Sequence, residues 1–175
     1  MKRAIVIALS VILALVVAAP TVLAQGGNGG APEDVNLTFT VPARNPNASH
    51  DDPAYLGCDF DLLYEVTGKS KTIELPDGGF IMTAPGLYVT VTNLDNDKAL
   101  TLNVTGSTFA SAPYGNGFVD YVITGRNLAL DPAGLFLNKG RFTYTLQLDE
   151  AGNVIKIVKP QEGKGQAIDV CALLS

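Results

Sequence analysis

From Cys58 onward the chain repeats one pattern, and this pattern constrains the fold more than any other feature of the sequence. Short runs rich in β-branched and aromatic residues alternate polar and apolar side chains, and Gly, Pro, Asn and Asp separate the runs. In one such run Leu87, Val89 and Val91 share a face. Alternation with period two is typical of half-buried β-strands. The sequence therefore predicts an all-β domain, with a first strand over residues 35–41.

The segments between these runs are short, and they predict how the strands are connected. Predicted turns include residues 67–70, 125–127 and 138–140, each of which contains glycine. Short turns join antiparallel neighbours, whereas parallel strands need crossover connections of about a dozen residues. We therefore expect an antiparallel meander, in which each strand pairs with the next.

Two cysteines, Cys58 and Cys171, predict one disulfide. The alternation places Cys58 at the start of the first long strand and Cys171 in the last strand. A disulfide requires Cα atoms within about 7 Å of each other, so this bond would bring the two ends of the meander together. The pairing favours an antiparallel meander that closes into a β-barrel. A two-sheet β-sandwich with the bond across the layers is the alternative.

The N-terminal segment predicts export. Lys2 and Arg3 precede an apolar run, Pro20 interrupts it, and small residues end at Ala24. This order is typical of a secretory signal peptide, and the run is shorter than the roughly 20 residues of a spanning helix. We expect a signal peptide at residues 1–24, a flexible linker at 25–34 and a single all-β domain at 35–175. The exported protein would be secreted or extracellular, where disulfides persist.

Charge and composition exclude several kinds of partner and cofactor. The chain has a formal net charge of −5, and the predicted signal peptide takes two positive charges with it when it is removed. Nucleic acids and anionic lipids are bound by positive charge, so we expect neither nucleic-acid binding nor membrane insertion after signal cleavage. One histidine, His50, two cysteines that pair with each other and the absence of a nucleophile motif predict no metal, no cofactor and no catalytic residues.

One set of charged residues is a candidate for ligand binding. Asp120 shares a face with the apolar residues Phe118 and Val122, Asp169 shares a face with Cys171, and Arg126 is a nearby cation in the sequence. A buried carboxylate must be paired or hydrogen-bonded. Asp120, Arg126 and Asp169 could therefore form an interior site for a small ligand or supply acid and base groups. The structural alternative is an ion pair at the end of the barrel.

Three functions follow from these observations. The first is an exported non-enzymatic domain that works by binding or as a structural module. The second is a β-barrel that binds a small ligand, although large inward side chains such as Tyr64 and Tyr144 predict a filled interior. The third is an isomerase-like or cyclase-like enzyme that uses Asp120, Arg126 and Asp169.

Several segments resemble a set of short secreted bacterial β-rich proteins of unassigned function. The residues that carry the resemblance are Cys58-Asp59-Phe60, the hairpin at 89–96, Thr124-Gly125-Arg126-Asn127-Leu128, Gly140-Arg141-Phe142-Thr143 and Asp169-Val170-Cys171-Ala172-Leu173. Together they extend over most of the chain that follows the predicted signal peptide. The resemblance implies a bacterial, exported protein and implies no functional residues.

Overall fold

A computed structural model describes residues 30–175. The predicted signal peptide and most of the predicted linker lie outside the described residues. The elements are β1 (Glu33–Val41), β2 (Leu62–Glu74), β3 (Phe80–Thr83), β4 (Tyr88–Asn93), β5 (Ala99–Asn103), β6 (Gly106–Ala110), β7 (Phe118–Asp131), β8 (Gly134–Leu148), β9 (Val154–Asp169) and a short helix α1 (Val170–Leu174). No helix among these residues is long and apolar enough to cross a membrane. The predicted first strand is confirmed as β1.

All strand pairs are antiparallel, which confirms the all-β prediction. The prediction that each strand pairs with the next is wrong at two places, because β4 pairs with β2 instead of β3 and β6 pairs with β3 instead of β5. The nine described strands form one sheet in the order β5-β4-β2-β3-β6-β7-β8-β9, and β1 pairs with β2. β5 and β9 lie at opposite ends of this order and do not pair with each other. The sheet is therefore open within the described residues, and closure into a barrel is not confirmed.

Three of the predicted turns are wrong, because the strands continue through them. β2, β7 and β8 run without interruption across residues 67–70, 125–127 and 138–140 respectively. Instead of turns, these places contain glycines within long strands, and the backbone of all three departs from the regular strand conformation with a positive φ. At Gly68, for example, φ is +130°, and a Cβ atom there would lie 2.8 Å from the Cα of Leu87. Glycine is the residue that tolerates both the positive φ and the close backbone approach.

A row of glycines crosses four neighbouring strands at one level of the sheet. Gly106 of β6 is opposite Gly125 of β7, Gly125 is opposite Gly140 of β8, and Gly140 is opposite Gly165 of β9. We call these four residues the glycine row. Without Cβ atoms the strands can bend sharply together at this level.

The glycine row lies between two hydrophobic clusters of the domain. On one side of the row, Leu135 and Leu137 of β8 pack in a cluster with Leu62 and Tyr64 of β2. On the other side, residues of β7, β8 and β9, among them Tyr121, form a second cluster. The β7–β8 hairpin is not hydrogen-bonded to β4 or β5, so the sheet folds over on itself to bring the hairpin against β2.

The predicted disulfide is confirmed. Cys58 and Cys171 are bonded, with Cα atoms 5.4 Å apart and a sequence separation of 113. Their predicted locations in strands are wrong, because Cys58 precedes β2 and Cys171 lies in α1. The side chain of Asp169 accepts a hydrogen bond from the backbone N–H of Ala172 at 3.0 Å and so caps this helix.

β9 is an edge strand with no further strand beside it among residues 30–175. It is 16 residues long and contains three exposed lysines and a proline: Lys156, Lys159, Pro160 and Lys164. Its pairing with β8 shifts register at three points between Thr143 and Leu148. Charges, proline and bulges are the features that keep natural sheet edges from pairing with other chains.

Candidate functional site: an apolar cavity inside the folded sheet

A cavity of about 160 Å³ lies inside the fold, lined by residues of most of the strands and of residues 42–61. Side chains from both hydrophobic clusters line it, including Val66 and Val89 from one and Tyr121 and Leu146 from the other. The lining is mainly apolar. The large inward side chains expected from the sequence therefore leave a space of this size unfilled.

Two stacked pairs of aromatic rings contribute to the wall of the cavity. Phe39 of β1 and Tyr64 of β2 are opposite each other in register, with ring centroids 5.1 Å apart and planes 6° from parallel. Tyr121 of β7 and Tyr144 of β8 form the second pair, at 4.9 Å and 8°. All four rings line the cavity. Stacked cross-strand pairs hold their rings in fixed positions, so these parts of the wall are preorganised.

Tyr64 supplies an unusual polar group to this lining. Its side chain is fully buried, and its hydroxyl has no hydrogen-bond partner among residues 30–175. Burial raises the pKa of the Tyr64 phenol well above its ordinary value, so the hydroxyl stays protonated and remains a hydrogen-bond donor. Burial also raises the pKa of Tyr121, to about 12. The cavity therefore contains neutral phenols at any physiological pH.

The mouth of the cavity lies beside β9. Lys159 and Pro160 are the exposed members of its lining, whereas Tyr64 and Ile123 are buried members. Residues 42–61, which connect β1 to β2, contribute Pro53 and Leu56 to the same lining. We call residues 42–61 the covering loop, because it lies over one side of the cavity.

The covering loop is attached to β9 through Asp51. The Asp51 carboxylate forms an ion pair with Lys156 at 2.8 Å, and its backbone carbonyl accepts a hydrogen bond from Ile157 N–H at 2.9 Å. The loop is also packed internally, since the His50 and Tyr55 rings lie 4.2 Å apart. Asp51 thus holds the loop at the edge of the sheet that borders the cavity mouth.

The attachment at Asp51 predicts an acid-dependent opening of the covering loop. Hydrogen bonds from Lys156 and Ser49 lower the pKa of Asp51 to about 2. Because the folded value is below the unfolded value, the stabilisation is complete above about pH 4 and is lost as the pH falls through about 2. Asp51→Asn should reproduce the acid effect at neutral pH, with amide hydrogen exchange in the covering loop rising by up to about 5-fold.

Asp34→Asn is the matched control for this experiment. Asp34 forms an exposed ion pair with Lys69 at 3.3 Å, between β1 and β2. Its loss should leave exchange in the covering loop unchanged. Equal exchange rates in both variants and the parent protein would contradict a role for Asp51 in holding the loop.

The structure does not bring Asp120, Arg126 and Asp169 together. Asp120 accepts hydrogen bonds from the Thr145 hydroxyl at 2.6 Å and the Tyr114 hydroxyl at 3.1 Å. Arg126 is exposed and has no ion pair or side-chain hydrogen bond among residues 30–175, and Asp169 caps α1. Asp120 lies opposite Thr145, and Asp169 lies opposite Phe136, nine positions away along β8. Nine positions correspond to roughly 30 Å of strand.

A second, open cleft of about 500 Å³ lies between the covering loop and the β7–β8 hairpin, and His50, Asp51 and Asp131 are among its lining residues. The described part of the chain contains no group of three or more His, Cys, Asp or Glu side chains that could hold a metal ion. Neither unpartnered buried polar atom of the structure belongs to a residue of this cleft. The apolar cavity is therefore the better candidate for a specific site.

The sequence pattern does not predict the cavity. Alternation places Tyr64 and Tyr144 on inward faces, where large side chains are expected to fill the core. The signal that could have found the site is the tyrosine hydroxyl, because a buried tyrosine normally requires a hydrogen-bond partner. No polar partner for Tyr64 is evident along its own strand.

Comparison with known proteins finds no matching family model, no similar curated protein and no similar solved structure.

Proposed function

We propose that this chain is an exported, non-enzymatic domain that binds a small apolar molecule in the cavity between its layers. The observation that carries the proposal is the preorganised, mainly apolar cavity lined by two stacked aromatic pairs. Binding sites for small molecules are typically concave, lined by apolar and aromatic side chains, and supplied with few polar groups.

The volume of the cavity limits the size of the ligand. Cavities for drug-sized molecules start at about 300 Å³, and this cavity has about 160 Å³. An apolar cavity of about 150 Å³ in another protein stays free of water and binds benzene. The proposed ligand is therefore a molecule about the size of a single six-membered ring. It could also be an apolar group of that size on a larger molecule whose remainder extends out of the mouth.

Export is part of the proposal. The disulfide is compatible with an oxidising extracellular location, and residues 1–24 have the pattern of a secretory signal peptide. The charged candidates Asp120, Arg126 and Asp169 lie in separate surroundings, so they offer no support for the isomerase-like or cyclase-like alternative.

Toluene is a suitable probe for the proposed function. A ligand at about five times its Kd stabilises the folded state by about 1 kcal/mol, which in a domain of this size raises Tm by about 2–4 °C. We expect this increase in Tm when toluene is dissolved in a buffered solution of the oxidised protein. NMR chemical-shift changes should be concentrated at residues that line the cavity. No increase in Tm and no shifts would contradict the proposal.

A variant that fills the cavity should abolish toluene binding. Ala84 is buried and lines the cavity, so Ala84→Leu would occupy part of its volume at a cost of about 1–3 kcal/mol in stability. Ala99→Leu is the matched control, because Ala99 is exposed on β5 and does not line the cavity. An undiminished toluene effect in Ala84→Leu would place binding elsewhere.

A further inference from the structure

The ligand of the cavity should carry one hydrogen-bond acceptor, and Tyr64 shows where that acceptor would bind. Within residues 30–175, two buried side-chain polar atoms have no partner in the protein, the Tyr64 hydroxyl and the amide oxygen of Asn138. Tyr64 lines the cavity, whereas Asn138 does not. The unsatisfied hydroxyl therefore belongs to a residue of the cavity lining, and the hydroxyl itself is fully buried within that wall.

A buried hydroxyl without a partner is costly, which makes its position informative. Burying an unpaired hydroxyl destabilises the folded state, and native proteins pair nearly all such groups with protein, water or ligand. The Tyr64 ring is held by its stack against Phe39. Because the hydroxyl is fully buried, a ligand oxygen reaches it only when a neighbouring part of the cavity wall moves aside.

We propose that Tyr64 is the specificity-determining residue of the cavity, and that its hydroxyl donates a hydrogen bond to a carbonyl or ether oxygen on a compact ring-containing ligand. This inference rests on the proposed function, since it names the ligand class of the same cavity. It predicts a preference that apolar contact alone does not give. A carbonyl loses its hydrogen bonds to water on entering an apolar cavity. A ligand with a carbonyl therefore binds weakly unless the cavity supplies a hydrogen-bond donor.

Two isosteric probes separate the hydrogen bond from the apolar contacts. Acetophenone has a carbonyl oxygen where α-methylstyrene has a CH₂ group, and the two molecules have the same shape. We expect the oxidised protein to bind both probes. Tyr64→Phe should lower the affinity for acetophenone by about 5- to 10-fold and leave the affinity for α-methylstyrene unchanged. NMR titration measures both affinities.

The stability of Tyr64→Phe without ligand gives a second readout. The substitution removes the unpaired hydroxyl and keeps the ring that stacks on Phe39, so the variant should be at least as stable as the parent protein. Tyr88→Phe is the matched control, because Tyr88 is exposed on β4 and does not line the cavity. It should change neither affinity.

The possible outcomes distinguish this inference from the proposed function. If α-methylstyrene binds and Tyr64→Phe leaves the affinity for acetophenone unchanged, water satisfies the hydroxyl and the inference fails while the apolar site stands. If Tyr144→Phe, and not Tyr64→Phe, lowers the affinity for acetophenone, the assignment to Tyr64 is overturned. If neither probe binds the parent protein, both proposals fail.

Discussion

Replacing both cysteines, as Cys58→Ala with Cys171→Ala, should lower the free energy of unfolding by about 4–5 kcal/mol. On the chain-entropy model, a bond that closes a loop of over a hundred residues restricts the unfolded chain by this amount, and here 113 positions separate the two cysteines. Single domains have total stabilities of about 5–15 kcal/mol. The double variant should therefore be close to unfolding at body temperature.

Urea unfolding followed by circular dichroism measures this loss. Alanine is the better replacement because Cys58 is buried, and a buried serine hydroxyl would add a separate cost. Reduction of the parent protein should give nearly the same midpoint as the double variant. A loss below about 1 kcal/mol would show that the bond does little to restrict the unfolded chain.

Gly140→Ala should be the second most damaging of the substitutions considered, lowering the stability by about 3 kcal/mol or more. The φ angle of Gly140 is +147°, a conformation that side chains with a Cβ atom rarely adopt. A Cβ atom there would also lie 2.7 Å from the Cα of Gly165 on β9. The substitution therefore combines backbone strain with a collision between two strands in the middle of the bend.

Gly86→Ala separates these two contributions. Gly86 also has a positive φ of +72°, but a Cβ atom there would have no heavy atom within 4 Å. Its replacement should cost only the conformational penalty of about 1–2 kcal/mol. Thermal unfolding of both variants measures the difference, and equal losses would show that the close approach of β8 and β9 is not a constraint.

Local pattern predicted the strands well, but it did not predict the bends. A glycine flanked by polar residues, as in Gly125-Arg126-Asn127, has the same local sequence as a hairpin turn. What distinguishes a bend from a turn is the glycine opposite it, at Gly140 on the next strand. That register depends on where the β7–β8 hairpin turns, at Pro132 and Ala133, which alternation alone does not determine.

The candidate site was hidden for a related reason. Alternation correctly placed Tyr64 and Tyr144 on inward faces, but whether inward residues fill a core depends on how closely the layers approach each other. The bend at the glycine row sets that distance. Asp120 and Asp169 were chosen for their charge, and in the structure each has local hydrogen-bond partners, Thr145 for Asp120 and the backbone of Ala172 for Asp169.

The lysines and the proline of β9 disfavour edge-to-edge association of two copies at high protein concentration. Two copies meeting side by side along this strand would bring ammonium groups such as Lys159 and Lys164 close to one another. They would also meet Pro160, which has no amide hydrogen to share. Lys159 and Pro160 also border the mouth of the cavity. The same features that disfavour edge-to-edge association therefore keep a second copy from covering the mouth.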